Sequence, residues 1–238
     1  MAPPRAYVWT DACWEIGAER PAGLGIVVYL PGFHTICGKW VESCWLYAEG
    51  NTPPAFMAQF QVRSQYIGQL ELLAAVAAYR SFPKELADRE VIHWIDNTSA
   101  LASLIKGYAR SQDSASIVHA FHAFNLGLQS TAWFEYVRSE ANIADMPSRG
   151  DFEYLHSLGA RSSPLVLPSL DTWSMTAGEW IAQAQAAAGT QWQGEVPDED
   201  QAETRSRPLP TMSNPEGAAD VAQRGDGASA PTAVIPRL

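Results

Sequence analysis

Four acidic residues, Asp11, Glu71, Asp96 and Asp145, stand inside or at the edge of segments whose other residues are built for burial. Asp11 lies in Tyr7-Val8-Trp9-Thr10-Asp11-Ala12-Cys13, an aromatic and β-branched run that reads as a strand. Glu71 lies in Ile67 to Val76, which reads as a helix, and its neighbours three and four residues away are Ile67, Gly68, Ala74 and Ala75. Asp96 ends a second strand, Val91 to Asp96, and Asp145 closes the loop after a third, Trp133 to Val137. Carboxylates in such places cost on the order of several kcal/mol unless they are paired, protonated or bound to metal. Singly, each has a plainer reading: Asp96 as a helix N-cap, Glu71 as a solvated spot on an amphipathic helix, Asp145 as a loop residue ahead of Pro147. Those readings leave the set unexplained. Acids at these places can converge at one end of a sheet, where they repel and hold protons tightly unless divalent cations bind them. Hard oxygen donors with no Cys or His cluster beside them point to Mg²⁺ or Mn²⁺ rather than zinc.

The elements that must position these acids follow from pattern and punctuation. After the first strand, Gly23 to Leu30 reads as a second, with a turn at Pro31-Gly32 and a return through Phe33 to Trp40 or beyond. A helix is predicted from about Gln65 to Phe82, ended by Pro83. Strand 91–96 and helix 97–106 follow, with Gly107 as the stop. A third helix, about Gln112 to Gln129, carries Ile117, Val118, Phe121, Phe124, Leu126 and Leu128 ahead of the last strand. The expectation is an α/β domain in which three antiparallel strands are followed by parallel ones, a mixed five-stranded sheet flanked by helices.

On these residues the chain resembles the type 1 ribonuclease H domain in its retroelement, reverse-transcriptase-associated form. The resemblance is carried by Thr10-Asp11-Ala12, by Gln69-Leu70-Glu71-Leu72-Leu73-Ala74, by Ile95-Asp96-Asn97, and by Asn142-Ile143-Ala144-Asp145-Met146-Pro147-Ser148-Arg149-Gly150, and spans roughly residues 5–155. It implies an RNase H-like fold in which Asp11, Glu71, Asp96 and Asp145 bind two divalent ions, Mg²⁺ or Mn²⁺. It implies hydrolysis by water of the RNA strand of an RNA/DNA hybrid, and a reverse transcriptase or another nucleic-acid-binding protein as partner. Two ions about 3.5–4 Å apart would activate the water and stabilise the leaving oxygen. One feature departs from the family. Its members often carry a His in the loop before the last acid, and here that loop is Arg138-Ser139-Glu140-Ala141-Asn142. His119 and His122 share a helix face, a spacing more often used in packing than in a site.

Net charge argues the other way. The chain carries −10 formally, whereas proteins that grip phosphate backbones usually show a basic footprint. Eight acidic against four basic residues follow Gly189, so −4 belongs to that segment and −6 to residues 1–188. Four of those charges are the acids of the set. Lys39, Asn97, Lys106, Arg110, Arg138 and Arg149 flank the motif segments and are the candidates for nucleic-acid contact. The family's basic protruding loop is not evident between Gly107 and Ser114.

Other nucleases on such scaffolds fit less well. Proofreading exonucleases place a second acid two residues after the first, where this chain has Cys13, and integrases end their triad with a late helical Glu. The alternative from another class is a domesticated module that keeps the fold for nucleic-acid or protein binding without turnover.

Residues 1–160 are expected to form the RNase H-like domain, and 161–188 an extension with a short helix, about Thr176 to Ala188, docked by Trp180 and Ile181. Residues 189–238, rich in Pro, Gly, Ala and acids, are expected to be a disordered tail. Three cysteines, Cys13, Cys37 and Cys44, suit reduced thiols. No stretch has the apolar length of a membrane span and Met1 to Arg5 lack a signal-peptide core, so a soluble intracellular protein, cytoplasmic or nuclear, is expected.

Overall fold

Alternation sets the first strand. In β1 (Ala6–Ala12) the even residues Ala6, Val8 and Thr10 are fully buried, while Tyr7 and Trp9 are half-buried on the opposite face. The elements that follow are β2 (Gly23–Leu30), β3 (Phe33–His34), β4 (Trp40–Val41), β5 (Cys44–Asn51), α1 (Pro54–Met57), α2 (Ile67–Ser81), α3 (Pro83–Leu86), β6 (Glu90–Ile95), α4 (Thr98–Lys106), α5 (Gln112–Gly127), β7 (Thr131–Tyr136), α6 (Asp145–Ser148), α7 (Glu153–Ser157), β8 (Arg161–Ser162) and α8 (Ala177–Ala188). This is a computed structural model that describes residues 4–189. The tail expected beyond Gly189 lies outside the described residues.

The main sheet runs β7-β6-β1-β2-β5-β8. β2 is antiparallel to β1 and to β5, whereas β6 is parallel to β1 and β7 parallel to β6. Three antiparallel strands followed by parallel ones is the mixed sheet expected from the element order. A sixth strand joins it: β8 adds parallel to the β5 edge through the pairs Leu46–Arg161 and Tyr47–Ser162. The return strand differs from expectation. Phe33 to Val41 folds on itself as a small hairpin, β3–β4, closed around Gly38 at φ 76°. The strand that pairs with β2 is Cys44–Asn51, in register from Leu30–Cys44 to Gly23–Asn51.

Helices α2, α4 and α5 cover one face. Every residue of α2 from Gln69 to Tyr79 is buried, because the helix packs against β1, β2, α4 and α5 at once. This excludes a solvated position for Glu71. Leu126, counted with the apolar face of α5, is exposed. Beyond β8 the chain crosses to this helical side, where α8 lies on α5. Thr176 caps it through a capping box with Glu179, Trp180 and Ile181 are buried, and Arg80 lies over the rings of Phe124 and Trp180.

The opposite face carries an aromatic row. Trp9 and Trp94 stack at 4.6 Å and 16°, and Trp45, Tyr29 and Tyr7 continue the row in mutual contact. Short α6 and α7 cover the far end of this face, joining Ala144 and Leu155 to Val27 and Tyr47. All three cysteines are free thiols. No helix among the described residues is long and apolar enough to cross a membrane.

Candidate metal centre

Strand register brings the first two acids side by side. β1 and β6 pair in parallel from Ala6–Val91 to Trp9–Trp94, and the same register continued by two residues sets Asp11 beside Asp96. Glu71 enters from α2, which crosses β1. Asp11, Glu71 and Asp96 each offer a carboxylate oxygen, and the three atoms lie within 4.8 Å of one another. Asp11 and Glu71 are each 3 % exposed, and Asp96 is half-buried at the mouth.

Asp145 opens α6 on the other side of Asp11. It is near enough for its charge to raise the proton affinity of Asp11 and Glu71, but its own carboxylate is held by Arg149 Nε at 2.8 Å. The structure thus gathers three of the four acids tightly and holds the fourth at the rim, already paired.

Asp96 does not cap α4. That role falls to Asn97, whose Oδ1 accepts from the amides of Ser99 at 3.1 Å and Ala100 at 3.0 Å. Asn97, a candidate nucleic-acid contact from the sequence, thus uses its Oδ1 to cap the helix.

The electrostatics follow from burial and crowding. Burial first, then the charges of Asp96 and Asp145, push the Asp11 carboxyl up to about 7 against the opposing hydrogen bond from Ser148. Burial, with Asp11 and Asp96 beside it, pushes Glu71 well above the usual carboxylate range, only partly offset by the Ala12 amide. Glu71 Oε2 is buried without a hydrogen-bond partner. An orphaned buried carboxylate oxygen facing two more carboxylates is what a hard divalent cation would satisfy. Among the described residues no His or Cys belongs to this group. The all-oxygen donor set fits a hard divalent cation.

The polar frame beneath the acids was visible in sequence only as motif residues without roles. Asn142, 3 % exposed, donates from Nδ2 to the carbonyl oxygen of Thr10 at 3.0 Å, and its Oδ1 accepts from the Ala144 amide at 3.2 Å. Ser148, fully buried, places its Oγ 2.7 Å from Asp11 Oδ2. Cys13 Sγ lies 3.2 Å from the main-chain oxygen of Ser148. α6 can lie this close to β2 because Gly23 and Gly25 carry no side chain. A Cβ at Gly25 would overlap the carbonyl oxygen of Ala144, and one at Gly23 that of Ser148.

The histidines stay out of the centre. His93 is buried under it, 2.9 Å from Thr10 Oγ1, and His122 reaches the carbonyl oxygen of Leu104 at 2.9 Å as a packing residue. His119 is exposed. The loop before Asp145 forms a short 3₁₀ turn, Ser139–Ala141.

The basic candidates divide by position. Lys106 and Arg110 line a surface groove with Gly68 and Gln69, at the N-terminal turn of the helix that carries Glu71. Arg138 is exposed just past β7, at the end of the sheet where Asp96 follows β6. Lys39 sits on the β3–β4 hairpin, which follows Leu30. Since Asp11 pairs with Gly25 and Tyr7 with Tyr29, that hairpin is at the opposite end of the sheet from the acids.

No family model matches the chain, and no curated protein matches its sequence. The structure is similar to the N-terminal RNase H domain of a Mycobacterium tuberculosis protein solved as a fusion with maltose-binding protein, at 15% identity and a TM-score of 0.40, covering 66% of this chain and 99% of that one. A type 1 RNase H with the type 2 active-site motif gives 13% identity and 0.42, covering 79% of this chain and 86% of the other. RNase H1 from the halophilic archaeon Halobacterium salinarum gives 13% and 0.37, covering 60% and 93%.

Proposed function

We propose that the chain is a divalent-metal-dependent endonuclease that hydrolyses the RNA strand of RNA/DNA hybrids. The observation that carries this reading is the convergence of Asp11, Glu71 and Asp96 within 4.8 Å, two of them buried and one of those with an orphaned oxygen. When bound, the ions would activate the attacking water and stabilise the leaving oxygen. Asp11 and Asp96 would be the central ligands, with Glu71 on one ion and Asp145 on the other. Lys106 and Arg110, in the groove beside α2, would take backbone phosphates, and Arg138 those on the β7 side. Catalysis belongs to residues 1–160, with 161–188 bracing α5 and α2 from outside. The segment Asn142 to Arg149 favours a retroelement-type domain.

A second reading, a binding module without turnover, is favoured by one contact, the Arg149–Asp145 pair that occupies the fourth acid. One experiment separates the two. Purified full chain is incubated with labelled RNA/DNA hybrid in Mg²⁺, in Mn²⁺ and in EDTA, with double-stranded RNA, single-stranded RNA and duplex DNA as controls. Hybrid-selective cleavage that EDTA abolishes supports the enzyme. Hybrid binding without cleavage in either metal supports the module.

A further inference from the structure

Asp11 holds its place in the centre through one strong side-chain partner. Ser148 Oγ is 2.7 Å from Asp11 Oδ2, and the same oxygen is 2.8 Å from the main-chain oxygen of Asp145. A serine has a single hydroxyl proton, so it can donate to only one of the two at a time. An ionised carboxylate is the stronger acceptor and takes it. The other oxygen of Asp11, Oδ1, has only a 3.5 Å contact with Asn142 Nδ2, which makes its better bond to Thr10.

Hydroxyls at the end of a helical turn often bond the carbonyl three residues back, and the Asp145 contact alone would be read that way. Two features point further. Ser148 is fully buried, and its acidic partner lies 137 residues away on β1, so the contact ties a helix to the strand that carries the first acid. α6 is also docked independently of this hydroxyl, by Cys13 against the Ser148 carbonyl oxygen, by Asn142 on Thr10, and by the bare backbone of Gly23 and Gly25.

We propose that Ser148 is a positioning residue of the metal centre. It fixes Asp11 Oδ2, so the carboxylate keeps one rotation and leaves Oδ1 to a cation. The proposal rests on the acids being a metal site. Partners that orient a ligand in this way are typically worth about 10–100-fold in metal affinity.

The test is Mn²⁺ binding to the full chain by titration calorimetry, with melting temperature in EDTA measured alongside. Ser148→Ala removes the oxygen and leaves the other α6 contacts, so it should remain folded in EDTA with a lowered melting temperature, since a buried acceptor loses its partner, and bind Mn²⁺ at least about tenfold more weakly. Ser148→Cys keeps the volume and offers a weak donor, so its affinity should fall between the two, and it decides the matter if the alanine variant does not fold. Cys13→Ala loosens the same helix without touching Asp11 and should bind as wild type does. Wild-type affinity in a folded Ser148→Ala or Ser148→Cys protein overturns the proposal, as does an equal loss in Cys13→Ala, which would mean that helix docking alone matters. Absence of Mn²⁺ binding by the wild-type chain would overturn the metal reading itself.

Discussion

Arg149 donates from Nε to Asp145 Oδ1 at 2.8 Å, four residues along the chain, so the fourth acid meets the centre already paired. Both side chains are well exposed, 55% and 38%, and pairs of this kind contribute about 0–1 kcal/mol. Arg149→Gln should therefore change stability little. It should lower the Mn²⁺ concentration needed for half-maximal cleavage, because Asp145 is released, and weaken hybrid binding at low salt if the guanidinium also contacts phosphate. Metal titrations of cleavage for both proteins check this. An unchanged metal requirement would show that the pair places no restraint on Asp145.

Protons and a bound cation would compete for the same oxygens. Asp11 titrates at about 7 in the fold because of burial and neighbouring acids, and Glu71 is raised in the same direction, whereas both titrate near about 4 when unfolded. Without metal, Asp11 therefore holds its proton more tightly in the folded protein than in the unfolded chain between about pH 4 and about 7. The contribution of Asp11 is thus fully present below about pH 4 and is lost as pH rises through about 7, and Glu71 acts in the same direction. Bound Mg²⁺ offsets that loss, so the rise in melting temperature produced by millimolar Mg²⁺ should be larger at pH 8 than at pH 6. A rise independent of pH would place the ion elsewhere.

His93 works in the opposite sense. Burial lowers its pKa to about 3, against about 6.5 when unfolded, so acidification from 6.5 toward 3 favours the unfolded chain by up to about 1.4 kcal/mol per pH unit. Its partner Thr10 stands next to Asp11, on the floor of the centre. In His93→Gln the stability lost between pH 6.5 and 4, measured by urea unfolding, should shrink or reverse. An unchanged slope would assign the acid sensitivity to other groups.

Trp180 is 1 % exposed and packs on Phe124 beneath Arg80. Trp180→Ala should cost about 3–5 kcal/mol in urea unfolding. A loss below about 1 kcal/mol would mean that α8 contributes little to the core.

The acids were legible because their type is the chemistry. An Asp in Tyr7-to-Cys13 and a Glu amid Leu70 to Ala75 conflict with burial, and that conflict survives any error in element boundaries. The mixed sheet was legible for a similar reason, since strand and helix periods alternate clearly from β1 to β7. Ser148 and Asn142 stood in a quoted segment, yet a serine and an asparagine have no preferred partner, and theirs are 137 and 132 residues away. Asn97 and Asp96 are both good caps, and only the backbone geometry of α4 chose between them. The β3–β4 hairpin was missed because Gly38 turns the chain within a run that otherwise reads as one strand. The place of Lys39 went with it, since its distance from the acids depends on which way that strand runs.

Asp96→Asn tests the central claim most directly. Asp96 is half-buried and Asn97 already caps α4, so the variant should fold and melt in EDTA at or above the wild-type temperature. A neutral amide is a poor ligand for a hard cation, so cleavage of RNA/DNA hybrid in Mg²⁺ should fall at least about a hundredfold. A folded Asp96→Asn protein that cuts hybrid at the wild-type rate would contradict the account.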